Sequence, residues 1–207
     1  MKLKAVMALM AIGGLIAVGM YSCQKSESDV KEKPKSVSCA NYKDTGTEGV
    51  INPCSTPQEY PLYAGNPANN PEDKLIGSIK VFRDENYLYV QYSVNKEGWS
   101  LHLTHTYVGP CDEVPSTRGG ATPGQFDKTE WGVATEQPDC GVTCWVEKFP
   151  LSKFAGLECI CILTHAEAWK DCKPAETAWG GNEEFPGNNW GRYISCFQIP
   201  DCGNGND

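Results

Sequence analysis

The chain has 207 residues, 26 of them acidic and 18 basic, for a formal net charge of −8 at pH 7. That length suits a single domain, and the acidic balance sets aside both nucleic acid, whose phosphates it would repel, and a polybasic grip on anionic lipid. Eleven cysteines are many for a cytosolic chain and point to an oxidising compartment.

Taken in chain order, residues 1–23 read MKLKAVMALMAIGGLIAVGMYSC. Lys2 and Lys4 make a basic start and Ala5 to Met20 carries no charge, the layout of an export signal. The apolar run, broken by Gly13 and Gly14, falls short of the ~20 residues a spanning helix needs. Ser22 followed by Cys23 resembles the lipobox of bacterial lipoproteins, with Met20 and Tyr21 standing where Leu and a small residue are usual. The resemblance implies cleavage after Ser22, acyl chains on Cys23, and a protein held by lipid at the outer membrane, periplasmic or surface-exposed. Gln24 is not the Asp that keeps lipoproteins of enteric bacteria at the inner membrane. Residues 24–38, QKSESDVKEKPKSVS, carry too little apolar surface to order themselves and read as a tether. The expected organisation is a signal peptide over 1–22, a tether over 23–38 and a folded domain over 39–207.

Within that domain, Cys39 to Cys54 holds Gly46, Gly49 and Pro53, a loop composition; a bond between these two cysteines would close it. Ile76–Phe82 reads as a strand, Arg83–Asn86 as a turn, and Tyr87–Val94 as a second strand with strict alternation. Leu88, Val90, Tyr92 and Val94 fall on one face and Tyr87, Tyr89, Gln91 and Ser93 on the other. Lys96-Glu97-Gly98 turns the chain into a third strand, Trp99–Val108. The Pro/Gly-rich stretch from Gly109 to about Asp139 reads as a long loop, pinned by the cysteines at its ends. Thr143–Pro150 is a strand with Trp145, Glu147 and Phe149 on one face. Leu151–Phe154 is a single helical turn, Cys159–Trp169 a strand, Lys170–Asn189 a loop, and Trp190–Ile199 the last strand. The expected fold is an all-β, antiparallel β-sandwich of about six to nine strands with long disulfide-pinned loops.

With Cys23 assigned to lipid, the remaining cysteines are even in number: Cys39, Cys54, Cys111, Cys140, Cys144, Cys159, Cys161, Cys172, Cys196 and Cys202. The set suits disulfides whose connectivity the sequence leaves open. Neither Cys140-x3-Cys144 nor Cys159-x-Cys161 is the paired C-x2-C of a zinc ribbon, so no metal is assigned to them.

Several segments recur in a familiar order: Tyr63-Ala64-Gly65, Trp99-x-Leu101 leading to Thr104–Gly109, Pro123-Gly124-Gln125-Phe126, His165-Ala166, Glu176–Gly180 and Asn189-Trp190. The series resembles a β-rich module of exported and surface-attached proteins of Bacteroidota. That resemblance implies fold and location and leaves function open.

No G-x-S-x-G elbow, H-E-x-x-H helix or P-loop is present. The carboxylates Glu130, Glu136, Glu167, Glu176, Glu183 and Glu184 show no motif that singles out a glycosidase pair. His105 is expected on a strand face with Leu101, Leu103 and Tyr107, with His102 pointing the other way; a metal pair of His105 and His165 would need their strands to be neighbours. The aromatic residues in Gly- and Asn-rich surroundings, Trp131, Trp169, Trp179 and Trp190, are suited to stacking on sugar rings. Tyr87 and Tyr89 are expected to add an exposed face.

The sequence therefore reads as a lipid-anchored, non-catalytic module, bound to the membrane through Cys23, that takes a glycan or an envelope protein. Trp179, Trp190, Glu176 and Asn188 are its ligand residues, without metal or cofactor. The alternatives are a structural subunit of a surface assembly and, third, a glycoside hydrolase. If Cys23 is acylated, the wild-type protein should take up a fatty-acid label and partition into detergent. Cys23→Ser should give an unprocessed precursor or a soluble species, and a wild type without label would end the lipoprotein reading.

Overall fold

Two stretches of strict alternation meet as a hairpin and set the pattern for the rest. In the computed structural model, residues 35–38 and 51–202 are described, with 69 and 138 excepted. The signal segment, Cys23 and Cys39 lie outside the described residues. In chain order the strands are β1 (Lys35–Ser38), β2 (Gln58–Ala64), β3 (Leu75–Arg83), β4 (Tyr87–Val94), β5 (Trp99–Gly109), β6 (Ser116–Thr117) and β7 (Gly120–Ala121). They continue with β8 (Gly132–Glu136), β9 (Cys144–Pro150), β10 (Ile160–Lys170), β11 (Lys173–Gly180), β12 (Glu183–Glu184) and β13 (Arg192–Phe197). The β3–β4 hairpin turns on Asp84, whose Oδ1 accepts from the backbone N–H groups of Asn86 and Tyr87, the local bonding that makes Asp a turn residue.

Every pairing is antiparallel. The main path runs β1–β9–β4–β3–β2–β11–β10, and β10 then carries β5, with β8 beyond it. The other edge of β10 is shared: its first residues pair with β13 and the remainder with β11. Alternate side chains of these strands point to one inner cluster, including Leu62, Ile79, Val90, Tyr92, Leu101, Phe149 and Ile162, each 0% exposed. That is the packed interior expected of a small barrel.

The two ends of the sheet come back together over this core. Leu101 and Val142 exchange backbone hydrogen bonds of 2.8 and 2.9 Å. Deeper in, Glu147 of β9 accepts from Trp145 Nε1 at 2.7 Å and from Thr104 Oγ1 of β5 at 3.3 Å, and Thr135 of β8 also bonds to it. Glu147 is 0% exposed. Burial raises its carboxyl above the ordinary Glu value, with the three hydrogen bonds opposing. Across the same interior, the Tyr92 hydroxyl lies 2.7 Å from Thr106 Oγ1. The fold is all-β and antiparallel, mostly one nearly closed, barrel-like sheet. The two separate layers of the expected sandwich are replaced by a single hydrogen-bonded path.

A second cluster lies on the outside of β5, β10 and β11: Tyr107, Val114, Ala121, Phe126, Cys161, Leu163 and Trp179, with Trp131, Phe185, Trp190 and Tyr193 against it. It is roofed by segments 110–131 and 181–191. These two are zipped together where Asn188 and Asn189 N–H donate to Gly119 O. Gly120 and Gly187, at φ +119° and +145°, let the segments touch; a Cβ on Gly120 would lie 2.4 Å from the Asn189 amide.

Four disulfides are seen among the described residues, Cys54–Cys202, Cys111–Cys161, Cys140–Cys172 and Cys159–Cys196, and Cys144 is also disulfide-bonded. Such bonds belong to an oxidising, extracytoplasmic setting. Among the described residues no helix is long and apolar enough to cross a membrane.

Several expectations change. Cys54 pairs with Cys202 rather than closing the loop from Cys39. Lys35–Ser38, read as tether, pairs with β9. The Lys170–Asn189 loop contains β11, and the long loop after Gly109 contains β8. Tyr89 is only 4% exposed, stacked on Phe82 and packed in a cluster with Ile51 and Val146, so the second face of β4 is covered. Trp179 is 5% exposed within the outer cluster. Trp179→Ala should therefore cost ~3–5 kcal/mol of stability, read as a large drop in melting temperature; a melt close to wild type would show that its ring is not part of the packing.

Candidate functional site

The outer face of β5 and β10, just beyond the roofed cluster, gathers all three histidines of the chain. His105 and His165 are direct cross-strand partners, with ring centroids 5.5 Å apart. The Trp179 ring meets His165 edge-on at 4.8 Å. Two residues further along lie Leu103 opposite Glu167, and then the register slips by one. The slip places His102 as an extra residue on β5, a β-bulge that keeps Leu101 in the core and turns His102 outward. His102 stacks on Trp169 at 4.0 Å with a 9° tilt, and its Nδ1 is 4.0 Å from Glu167 Oε2. This corrects the expected face assignment: Leu101 points inward, and His102 joins His105 outside.

These side chains leave polar atoms unpaired. The Nδ1 atoms of His102, His105 and His165 and the indole Nε1 of Trp169 are buried without a hydrogen-bond partner. Four such atoms on one face are a departure from the usual rule that buried polar groups find partners. Burial holds the His105 ring below its ordinary value, and holds His165, with the His105 charge adding, down to about 3. Both are neutral at pH 7. Among the described residues no three His, Cys, Asp or Glu side chains converge on a metal position.

Beside Trp169 the surface opens into a cleft of about 490 Å³ lined by Glu167, Trp169, Pro174, Glu176 and Thr177 at the β10–β11 end. Near the cleft β10 and β11 are joined by the tight turn Asp171-Cys172, both residues in the left-handed region at φ +51° and +60°, the backbone of a two-residue hairpin loop. The Cys140–Cys172 bond and the Asp171 N–H to Gly98 O bond of 2.8 Å fix that turn from outside.

Of the four ligand residues expected from sequence, Glu176 lines this cleft and is exposed. Trp179 is buried and Trp190 half-buried in the roofed cluster, while Asn188 is exposed on the far loop. They do not form one surface. Trp169, one of four tryptophans weighed for stacking, is the one that lines the cleft. Glu147, among the described residues the one carboxylate that is fully buried, was legible as an acid sharing a strand face with Trp145 and Phe149. The chain matches no family model, no curated protein and no solved structure with which it was compared.

The depressed His165 pKa gives a signed prediction. Unfolded, this ring binds a proton near its ordinary 6.5; folded, it does so only near 3. The unfolded state therefore holds more protons within that window, and stability falls as pH drops through it. His165→Gln removes this contribution, so the mutant should lose less melting temperature than wild type between pH 6.5 and 3. Parallel profiles for the two proteins would contradict it.

Proposed function

We propose that the chain is a lipid-anchored, non-catalytic binding module of the outer envelope, exported on residues 1–22 and held through Cys23, and that it takes a glycan in the Trp169 cleft. The observation that carries the reading is an indole supported by the His102 stack while it lines an open cleft with Glu167, Glu176 and Thr177. A rigid indole offers an apolar surface to the CH face of a sugar ring, and the carboxylates and hydroxyl offer hydrogen bonds to its hydroxyls. No basic side chain is in the lining, so the ligand is a neutral or amine-bearing sugar; uronic or sulfated chains would be repelled. The stapled turn supports the same reading, because a surface that is already ordered loses little entropy on binding.

The test is a glycan array probed with the acyl-free protein, followed by titration of any hit. Trp169→Ala should weaken binding by ~1–3 kcal/mol, the scale of an anchoring aromatic, with the melting temperature close to wild type. Retention of no neutral or amine-bearing glycan, or equal affinity in the mutant, would sink the assignment.

A further inference from the structure

His105 and His165 are used neither by the core nor by the glycan reading. They face one another across the β5–β10 ladder on the outside of the sheet, their ring centroids 5.5 Å apart. Each has a buried Nδ1 with no partner. Side chains directly opposite in an antiparallel ladder are close enough to share one ion, which imidazole nitrogen holds at ~2.0–2.1 Å. A bound ion would give both orphaned nitrogens the partner that a buried polar atom requires.

We propose that His105 and His165 form a two-nitrogen clamp for a late first-row divalent ion, Zn, Ni or Cu. Imidazole nitrogen selects these ions over Mg and Ca, which take oxygen. The two rings are the correct form for the task, since metal binds neutral imidazole and burial keeps both from protonating at neutral pH. The carboxylates whose charge reaches His105 are Asp127 and Glu167. Among the described residues no third protein ligand is in place, so the remaining positions of the sphere fall to water. His102, three residues before His105, belongs to the Trp169 stack and not to the clamp.

The experiment is a calorimetric titration of the acyl-free protein with zinc, nickel, copper, magnesium and calcium salts, paired with imidazole 15N NMR spectra. Saturable binding of one equivalent of zinc, nickel or copper is expected, with none of magnesium or calcium. Zinc should shift the ring nitrogens of His105 and His165 and leave those of His102 in place. His105→Gln and His165→Gln should each lower affinity at least tenfold, while His102→Gln and Trp169→Ala keep it. Because the NMR readout uses the wild-type protein, it stands even if a variant folds poorly. Absence of saturable binding, unmoved resonances of His105 and His165, or undiminished affinity in the folded His105→Gln and His165→Gln variants would overturn the proposal. A glycan result on Trp169→Ala is independent of each of these outcomes.

Discussion

The structure depends on how the two ends of one sheet are brought together. Among the described residues, backbone pairing across the seam is the Leu101–Val142 exchange; Ser100 Oγ donates to Cys140 O, the Tyr92 hydroxyl reaches Thr106, and a buried acid adds a third link. Glu147 reaches from β9 to Thr104 on β5 and, through Thr135, to β8, with the Trp145 indole donating to the same carboxyl oxygen. A carboxyl taken out of water this way is costly unless it is bonded. Its raised pKa shows the protein meeting that cost in part by favouring the neutral form. Hydrogen bonds are directional, so this cluster sets the alignment of three strands where apolar contact alone would tolerate slippage.

Closure fills the interior, and that decides where function can sit. The inner cluster is packed with fully buried Leu, Ile, Phe and Tyr, and its polar atoms at Tyr92 and Thr106 bond to each other. A ligand must therefore use the outside. There, β10 works on both faces: Ile160, Ile162, Ala166 and Ala168 point inward, while Cys161, Leu163, His165, Glu167 and Trp169 alternate outward. The Pro/Gly-rich segments roof only the Cys161–Leu163 end of this outer face, fastened by Cys111–Cys161. The end bearing Glu167 and Trp169 is left open, and the β-bulge adds His102 to it.

The strands that were legible in the sequence are those whose neighbours on both sides keep a period of two. Tyr87–Val94 and the strand after Trp99 had that signal, as did Cys159–Trp169. The strand β11 did not: KPAETAWG has a proline and few β-branched residues, and its hydrogen-bonded register comes from β10. Its turn was hidden as well, because the two left-handed positions are Asp171 and Cys172 rather than Asn-Gly. Likewise Pro61 masked β2. The cysteine count implied an oxidised domain, but pairings such as Cys54–Cys202 depend on contacts 148 residues apart in sequence and no spacing rule reaches that far. Tryptophan showed the same division. Residue type suggested ligand stacking, yet whether an indole was covered depended on loops folding back, which buried Trp179 and spared Trp169.

That the loops are roofing rather than recognition surface changes the kind of specificity available. Recognition loops on a sandwich adapt their tips; here the accessible side chains rise from paired strands and one tight turn. Cys140–Cys172 closes a separation of 32 residues at that turn, a constraint of about 3–4 kcal/mol in the chain-entropy model. With Asp171 also bonded to Gly98, the positions of Trp169, Pro174 and Glu176 are set before any ligand arrives. Under the proposed glycan reading, such a surface would discriminate by shape and by its fixed carboxylates, not by closure. Among the described residues, the unpaired nitrogens of His102, His105, His165 and Trp169 then gather unspent hydrogen-bonding capacity on one outer face of β5 and β10.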